Sequence, residues 1–179
     1  MKKLFVMAAL VLAAATVNAQ AGKFYVGTCG ISSGGADYTA LMTGFSSQGD
    51  ETAWGLAPEI GYNLSDNLTI GLGIGYTSFG DDSDMFGVNP YVRWYGWKSG
   101  DFSVYLQGNI EYAKFNYIDG DDNKFGINVA PGIAYSFTEK WGINATFGVL
   151  GYEKYKSDDD GAFGLALNSG LAFGLTYTF

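Results

Sequence analysis

Acid–base chemistry near neutral pH needs a group that trades its proton there, and histidine is the usual one. This chain has 179 residues and no histidine. The work would fall to carboxylates, and Glu59 and Glu111 are the two set inside alternating apolar segments. They stand on different segments at different distances from the bounding turns, so they do not make one site. Metal chemistry has a starting motif in Asp119, Asp121 and Asn123, which copy the opening ligands of a calcium loop. Lys124 stands where that loop requires glycine and Ala130 where it requires a bidentate glutamate, so the motif fails. The looser sets Asp81, Asp82, Asp84 and Asp158, Asp159, Asp160 read more simply as solvated acidic tips. Cys29 has no disulfide partner in the chain and reads as a small apolar side chain in a strand. No catalytic residue, cofactor or metal is assigned.

The elements that would position these residues are strands. Phe163, Leu165, Leu167, Leu171, Phe173, Leu175, Tyr177 and Phe179 share one parity, with Gly, Ala, Thr and Asn filling most of the other. Period two means an extended strand with one apolar face and one small or polar face. The same pattern recurs over residues 22–31, 52–62, 68–77, 86–97, 102–112, 125–137 and 141–149, giving eight antiparallel strands with 163–179. Short turns (63–67, 98–101, 138–140) alternate with longer Ser/Gly-rich or acidic connections (32–51, 80–84, 119–123, 157–161). Pro58, Pro90 and Pro131 each precede an aromatic by four residues, at Tyr62, Trp94 and Tyr135. Proline inside a paired strand loses a ladder bond, so three bulges are predicted there.

Charge placement says what the strands face. Lys23, Glu59, Arg93 and Glu111 all fall on the parity opposite the large apolar residues, with Lys114 at an outer rim. Lys or Arg facing mid-bilayer lipid costs about 2–4 kcal/mol, so a membrane barrel keeps such charges in its lumen. The 27 Gly, 13 Tyr, 13 Phe and 4 Trp against 16 % charged residues suit a small barrel with aromatic belts. Tyr91, Arg93, Tyr95, Trp97, Tyr105, Gln107 and Glu111 are predicted to cross the bore and plug it. Lys23, Glu59 and Arg93, with Tyr91, Tyr105 and Glu111 around them, are expected to form a lumenal ionic and polar network.

Met1 to Ala19 has a short basic start, an apolar run and a small-x-small end, and reads as a signal peptide. Residues 20–179 are then one domain with 8 basic and 18 acidic residues, a net charge of −10, which excludes nucleic acid as a partner.

A terminal Phe with apolar or aromatic residues on its own face resembles the bacterial outer-membrane β-barrel family. The Gly-rich strands and Pro-x-x-x-aromatic repeats are similar to the small OmpX/OmpA-like barrels and to the β-barrel domain proteins of Bacteroidetes-type bacteria. The resemblance implies an all-β, eight-stranded, antiparallel up-and-down transmembrane β-barrel, monomeric and without cofactors, in the cell outer membrane. It implies lipid bilayer and lipopolysaccharide as surroundings, and Phe173, Leu175, Tyr177 and Phe179 as the signal read by the barrel-assembly machinery. Tyr38, Leu41, Met42 and Phe45, apolar in a Ser/Gly-rich loop, are candidates to contact a surface ligand or lipid headgroups. The expected role is non-enzymatic, structural or adhesin-like. A narrow porin-like channel comes second. A lipid-modifying enzyme comes third, since the enzymes of this architecture work through a histidine.

Overall fold

Alternation of apolar and small residues becomes a wall whose two faces are chemically opposite. The computed structural model describes residues 24–28, 31–32, 43–48, 51–80, 83–117, 120–157, 159–166 and 172–179. The first stave is β1 (Phe24–Thr28) with β2 (Ile31–Ser32); β3 (Gly44–Gln48) then leads into β4 (Glu51–Leu56) and β5 (Pro58–Ser65), the second stave. Four long strands follow: β6 (Leu68–Gly80), β7 (Ser83–Ser99), β8 (Phe102–Tyr117) and β9 (Gly120–Ser136). The last two staves are β10 (Trp141–Thr146) with β11 (Val149–Tyr155), and β12 (Ala162–Ala166) with β13 (Ala172–Thr178). Neighbours are antiparallel, and β10 pairs with both β9 and β13 while β13 pairs with β1. The ring closes as an eight-stranded antiparallel barrel. Closure pairs backbone groups that hydrocarbon could not satisfy.

Outside, Ile70, Trp94, Leu106, Ile127, Ile143 and Leu175 are 41–52 % exposed, while the opposite parity is buried. A soluble protein would reverse this; a barrel in lipid requires it. At the base, where tight turns at Asp66–Asn67 and Gly100–Asp101 lie, aromatic pairs form a girdle. Its rings meet at 4.5 Å (Phe24–Tyr62), 5.9 Å (Trp97–Phe102) and 4.9 Å (Trp141–Tyr177). Gly100, with φ +57°, takes the left-handed conformation its turn needs.

Several sequence expectations are corrected. The acidic connections at 80–84 and 119–123 are largely strand: β7 starts at Ser83 and β9 at Gly120, at the end of the barrel we call the rim. Cross-strand polar pairs hold these turn-prone residues in the ladder. Lys114 Nζ lies 2.8 Å from Asp121, Tyr112 donates to Asn123 at 3.2 Å, and Asn116 donates to Asp84. Residues 44–48, expected within a loop, form β3 and pair with β4. The second stave thus changes neighbour at Ala57, from β1 to β3, and the Ala57 N–H turns to Thr43 Oγ1 at 2.8 Å.

The proline bulges are also corrected. Register passes unshifted through Pro58, from Leu56↔Tyr76 to Glu59↔Gly73, and through Pro90, from Val88↔Tyr112 to Tyr91↔Asn109. With its amide turned, the Asn89 side chain donates to the Pro90 and Ile110 carbonyls at 3.1 and 3.2 Å, bridging the unpaired gap. Pro131 stays in register with Leu106, and the extra residue sits in the strand opposite. There Gly132 pairs with Thr146 but Val129 with Leu150, leaving a bulge at Phe147–Gly148 with Gly148 at φ +72°. Phe147 N donates to the Pro131 carbonyl at 3.0 Å. A bulge reverses the faces beyond it. Val149, on the same parity as the outward-facing Ile143 and Phe147, is therefore buried, and the stave runs on to Tyr155. A second bulge, between Tyr95 and Trp97, turns Trp97 outward to 54 % exposure instead of into the bore.

Residues 1–23, and with them Lys23, lie outside the described residues, as do Tyr38, Leu41 and Met42; of Phe45 the backbone is described, in β3, and the side chain is not.

Candidate functional site

The lumen is filled by tyrosines seated on glycines. Tyr25, Tyr91 and Tyr105 point inward and are 4, 4 and 1 % exposed. Each stands directly opposite a glycine on the next strand: Tyr25↔Gly61, Gly71↔Tyr91, Tyr105↔Gly132. A Cβ at Gly61, Gly71 or Gly132 would fall inside the facing ring. The rings therefore lie flat across the inner wall, and the glycine rows are seats rather than open bore. The Tyr25 and Tyr91 hydroxyls hydrogen-bond to each other.

Arg93 lies among these rings. It is 3 % exposed, with its guanidinium carbon 4.7 Å from the Tyr105 centroid and 5.3 Å from that of Tyr91. Its Nη2 is 3.9 Å from Glu59 Oε2, at the outer limit of an ion pair, and its Nε donates to Gln107 Oε1 at 2.8 Å. From there one hydrogen-bonded chain climbs the lumen. Gln107 Nε2 donates to Asn109 Oδ1 at 2.8 Å, Asn109 Nδ2 to Asn128 Oδ1 at 2.8 Å, and Asn128 Nδ2 to Glu111 Oε1 at 3.0 Å. An amide both donates and accepts, so it can pass a chain from a cation to a carboxylate.

Nearer the rim a second ion pair is buried. Lys124, 2 % exposed, places Nζ 2.7 Å from Glu153 Oε2 and 5.7 Å from the Tyr155 ring centre. Met85, Ala113 and Phe115 form a buried apolar cluster with Tyr155 packed against it. Below Arg93, a cavity of about 500 Å³ opens toward the base.

Of the residues predicted to fill the bore, the structure places Tyr91, Arg93, Tyr105, Gln107 and Glu111 in the lumen, together with Glu59 of the expected ionic and polar network. Glu59 lies beside Arg93 while Glu111 ends the amide chain, so the two carboxylates occupy separate clusters. Lys124 and Glu153 were missed, as were the roles of Tyr25, Asn109 and Asn128. Lys124 shares the inward parity of Gly126 and Asn128, and a strand started one residue earlier would have included it. Glu153 turns inward only past Gly148. Its signal was the apolar series changing from odd positions, Ile143 and Phe147, to even ones, Leu150 and Tyr152.

At the chain end Phe173 and Leu175 face outward, 46 and 42 % exposed. Tyr177 and Phe179 meet edge to face at 5.4 Å, and Phe179 N donates to the Phe24 carbonyl at 3.1 Å. Outside the membrane span, the hydrogen bond to Asp121 holds the Lys114 amine above its ordinary pKa. The Ser157 hydroxyl, donating to Asp122 at 2.6 Å, holds that carboxyl below the usual range. Among the described residues no group of three or more His, Cys, Asp or Glu side chains is placed to hold a metal ion.

A closed wall with lipid-facing apolar residues and a polar core is the architecture described by the family model for the outer membrane protein β-barrel domain, which matches residues 4–179. The chain belongs to the outer membrane protein β-barrel domain family. Its place is the cell outer membrane. Two solved barrels are similar in fold. The N-terminal β-barrel domain of Pseudomonas aeruginosa OprF superposes with a TM-score of 0.53 at 13 % identity, over 89 % of this chain and 98 % of that one. Neisserial surface protein A superposes with a TM-score of 0.53 at 16 % identity, over 90 % of this chain and all of that one, 100 %. No curated protein matches the chain in sequence. In outer-membrane barrels the short turns face the periplasm, which makes the base periplasmic and the rim external.

Proposed function

We propose that this outer-membrane barrel is a non-catalytic surface protein whose lumen is a packed polar core and whose external strand ends and loops meet a ligand outside the cell. The observation that carries this reading is the unbroken chain from Arg93 through Gln107, Asn109 and Asn128 to Glu111. The amides from Gln107 to Asn128 are engaged with one another and with the charges at the two ends, and the tyrosines beside them fill a bore that eight strands leave barely wide enough for side chains. The barrel acts as a monomer in lipopolysaccharide and phospholipid, after removal of residues 1–19 and delivery through the assembly machinery by its terminal aromatic face, Phe173 to Phe179.

A narrow channel is the second reading, favoured by the cavity that reaches up to Arg93 from the base. Planar-bilayer recording separates the two. The intact protein is expected to give no stable conductance, and replacing Tyr91, Arg93 and Tyr105 together by alanine to open one. Steady cation-selective current from the unmodified protein would reverse the order. The surface role is tested by binding to whole cells that carry the intact barrel or one with its external hairpins shortened; equal binding would sink it.

A further inference from the structure

We propose that the cavity at the periplasmic base binds a small oxyanion, a carboxylate or a phosphate, entering from the periplasm. Its volume, about 500 Å³, is that of a small-ligand pocket. Its charge runs against that of the chain. Arg93 and Lys98 line it against the single carboxylate of Asp66, in a protein of net charge −8, and Glu59 is not among its lining residues.

Two groups on its wall call for an acceptor. Asn144 Nδ2 is buried and has no hydrogen-bond partner among the described residues. Buried donors in folded proteins are nearly always paired, and only an acceptor can complete this one. The neighbouring strand leaves that amide its place through Gly174, where a Cβ would stand 2.7 and 2.8 Å from the Asn144 amide atoms. Arg93 is the second group. Its nearest described carboxylate, Glu59, stands 3.9 Å away, too long for a hydrogen bond, so the buried guanidinium has donors left over from Gln107. Lys98, at the periplasmic lip, has one of its three N–H donors on the Asp66 carbonyl. Cationic groups at the lip and the floor, with an unpaired amide donor just behind the wall, form a site for anionic oxygen.

The barrel in zwitterionic micelles, titrated with sodium phosphate or sodium acetate at ionic strength held constant by sodium chloride, tests this by two-dimensional NMR. Saturable shifts are expected at Gly142, Asn144 and Thr176, and the tighter of the two anions identifies the oxyanion class. Asn144→Asp places a negative charge in the cavity and is expected to weaken binding by about tenfold or more while the spectrum stays dispersed. Lys98→Gln, at the lip, is expected to weaken it by less. Absence of saturable shifts with either anion, or an Asn144→Asp barrel that binds as the wild type does, would overturn the proposal.

Discussion

Asn109 donates its side-chain amide to Asn128 Oδ1 at 2.8 Å, and that one bond joins the Arg93 half of the lumen to the Glu111 half. Neither residue is charged. Their value is that each accepts from one neighbour while donating to the next, which keeps buried charges at both ends of the chain solvated by protein.

Replacing Asn109 by Leu leaves Gln107 Nε2 and Asn128 Oδ1, both in buried residues, without their partner. A loss of about 1–3 kcal/mol in urea unfolding from lipid vesicles is expected. A double replacement with Asn128→Leu should cost less than the sum of the two single changes, because the first already breaks the chain. Strict additivity would show that the chain is not energetically continuous.

Arg93→Met removes the cation facing Glu59, which is itself 4 % exposed. Breaking a buried pair on one side costs about 3–5 kcal/mol, and Arg93→Met combined with Glu59→Gln should recover much of it. Unfolding midpoints of the single and double variants in the same micelles decide this. A neutral single variant would mean that water already reaches Glu59.

Gly71→Ala and Gly108→Ala form a matched test of the tyrosine seats. An added Cβ at Gly71 meets the Tyr91 ring, whereas at Gly108 nothing lies within 4 Å. Overpacking at Gly71 is expected to cost about 1–3 kcal/mol and to raise the mobility of the Tyr91 ring in NMR spectra, while Gly108→Ala leaves stability near wild type. Equal effects at the two positions would refute the seating.

External strand ends should loosen in acid. The Asp122 carboxyl titrates below its ordinary range because Ser157 donates to it, so this tie is intact above the unfolded carboxylate range and is lost as pH falls through the lower folded value. Ser157 N also donates to Asp122, at 3.1 Å. Hydrogen exchange at the Ser157 amide, corrected for intrinsic rate, should accelerate across that acidic window, and Asp122→Asn should remove the pH dependence. A flat profile in the wild type would show that the tie does not form in solution.

What the sequence determined by itself was the identity of the two faces. Parity is a local property: a residue's direction follows from its neighbours in the same strand, so Ile70 and Leu106 facing lipid, and Glu59, Arg93 and Glu111 facing inward, could be read without knowing which strands touch. The strand count and the closed all-β architecture followed, because charges confined to one parity have few places to go. Tertiary structure alone decided who meets whom. Tyr91 lies on Gly71 and Tyr105 on Gly132 because of pairing register, which one residue's slip would undo. Lys124 reaches Glu153 because a bulge at Phe147–Gly148, opposite a proline with no N–H to give, reverses the seventh stave. The bulge answers the partner strand's proline, a residue sixteen positions away in sequence from Phe147 and adjacent only once the two strands have paired.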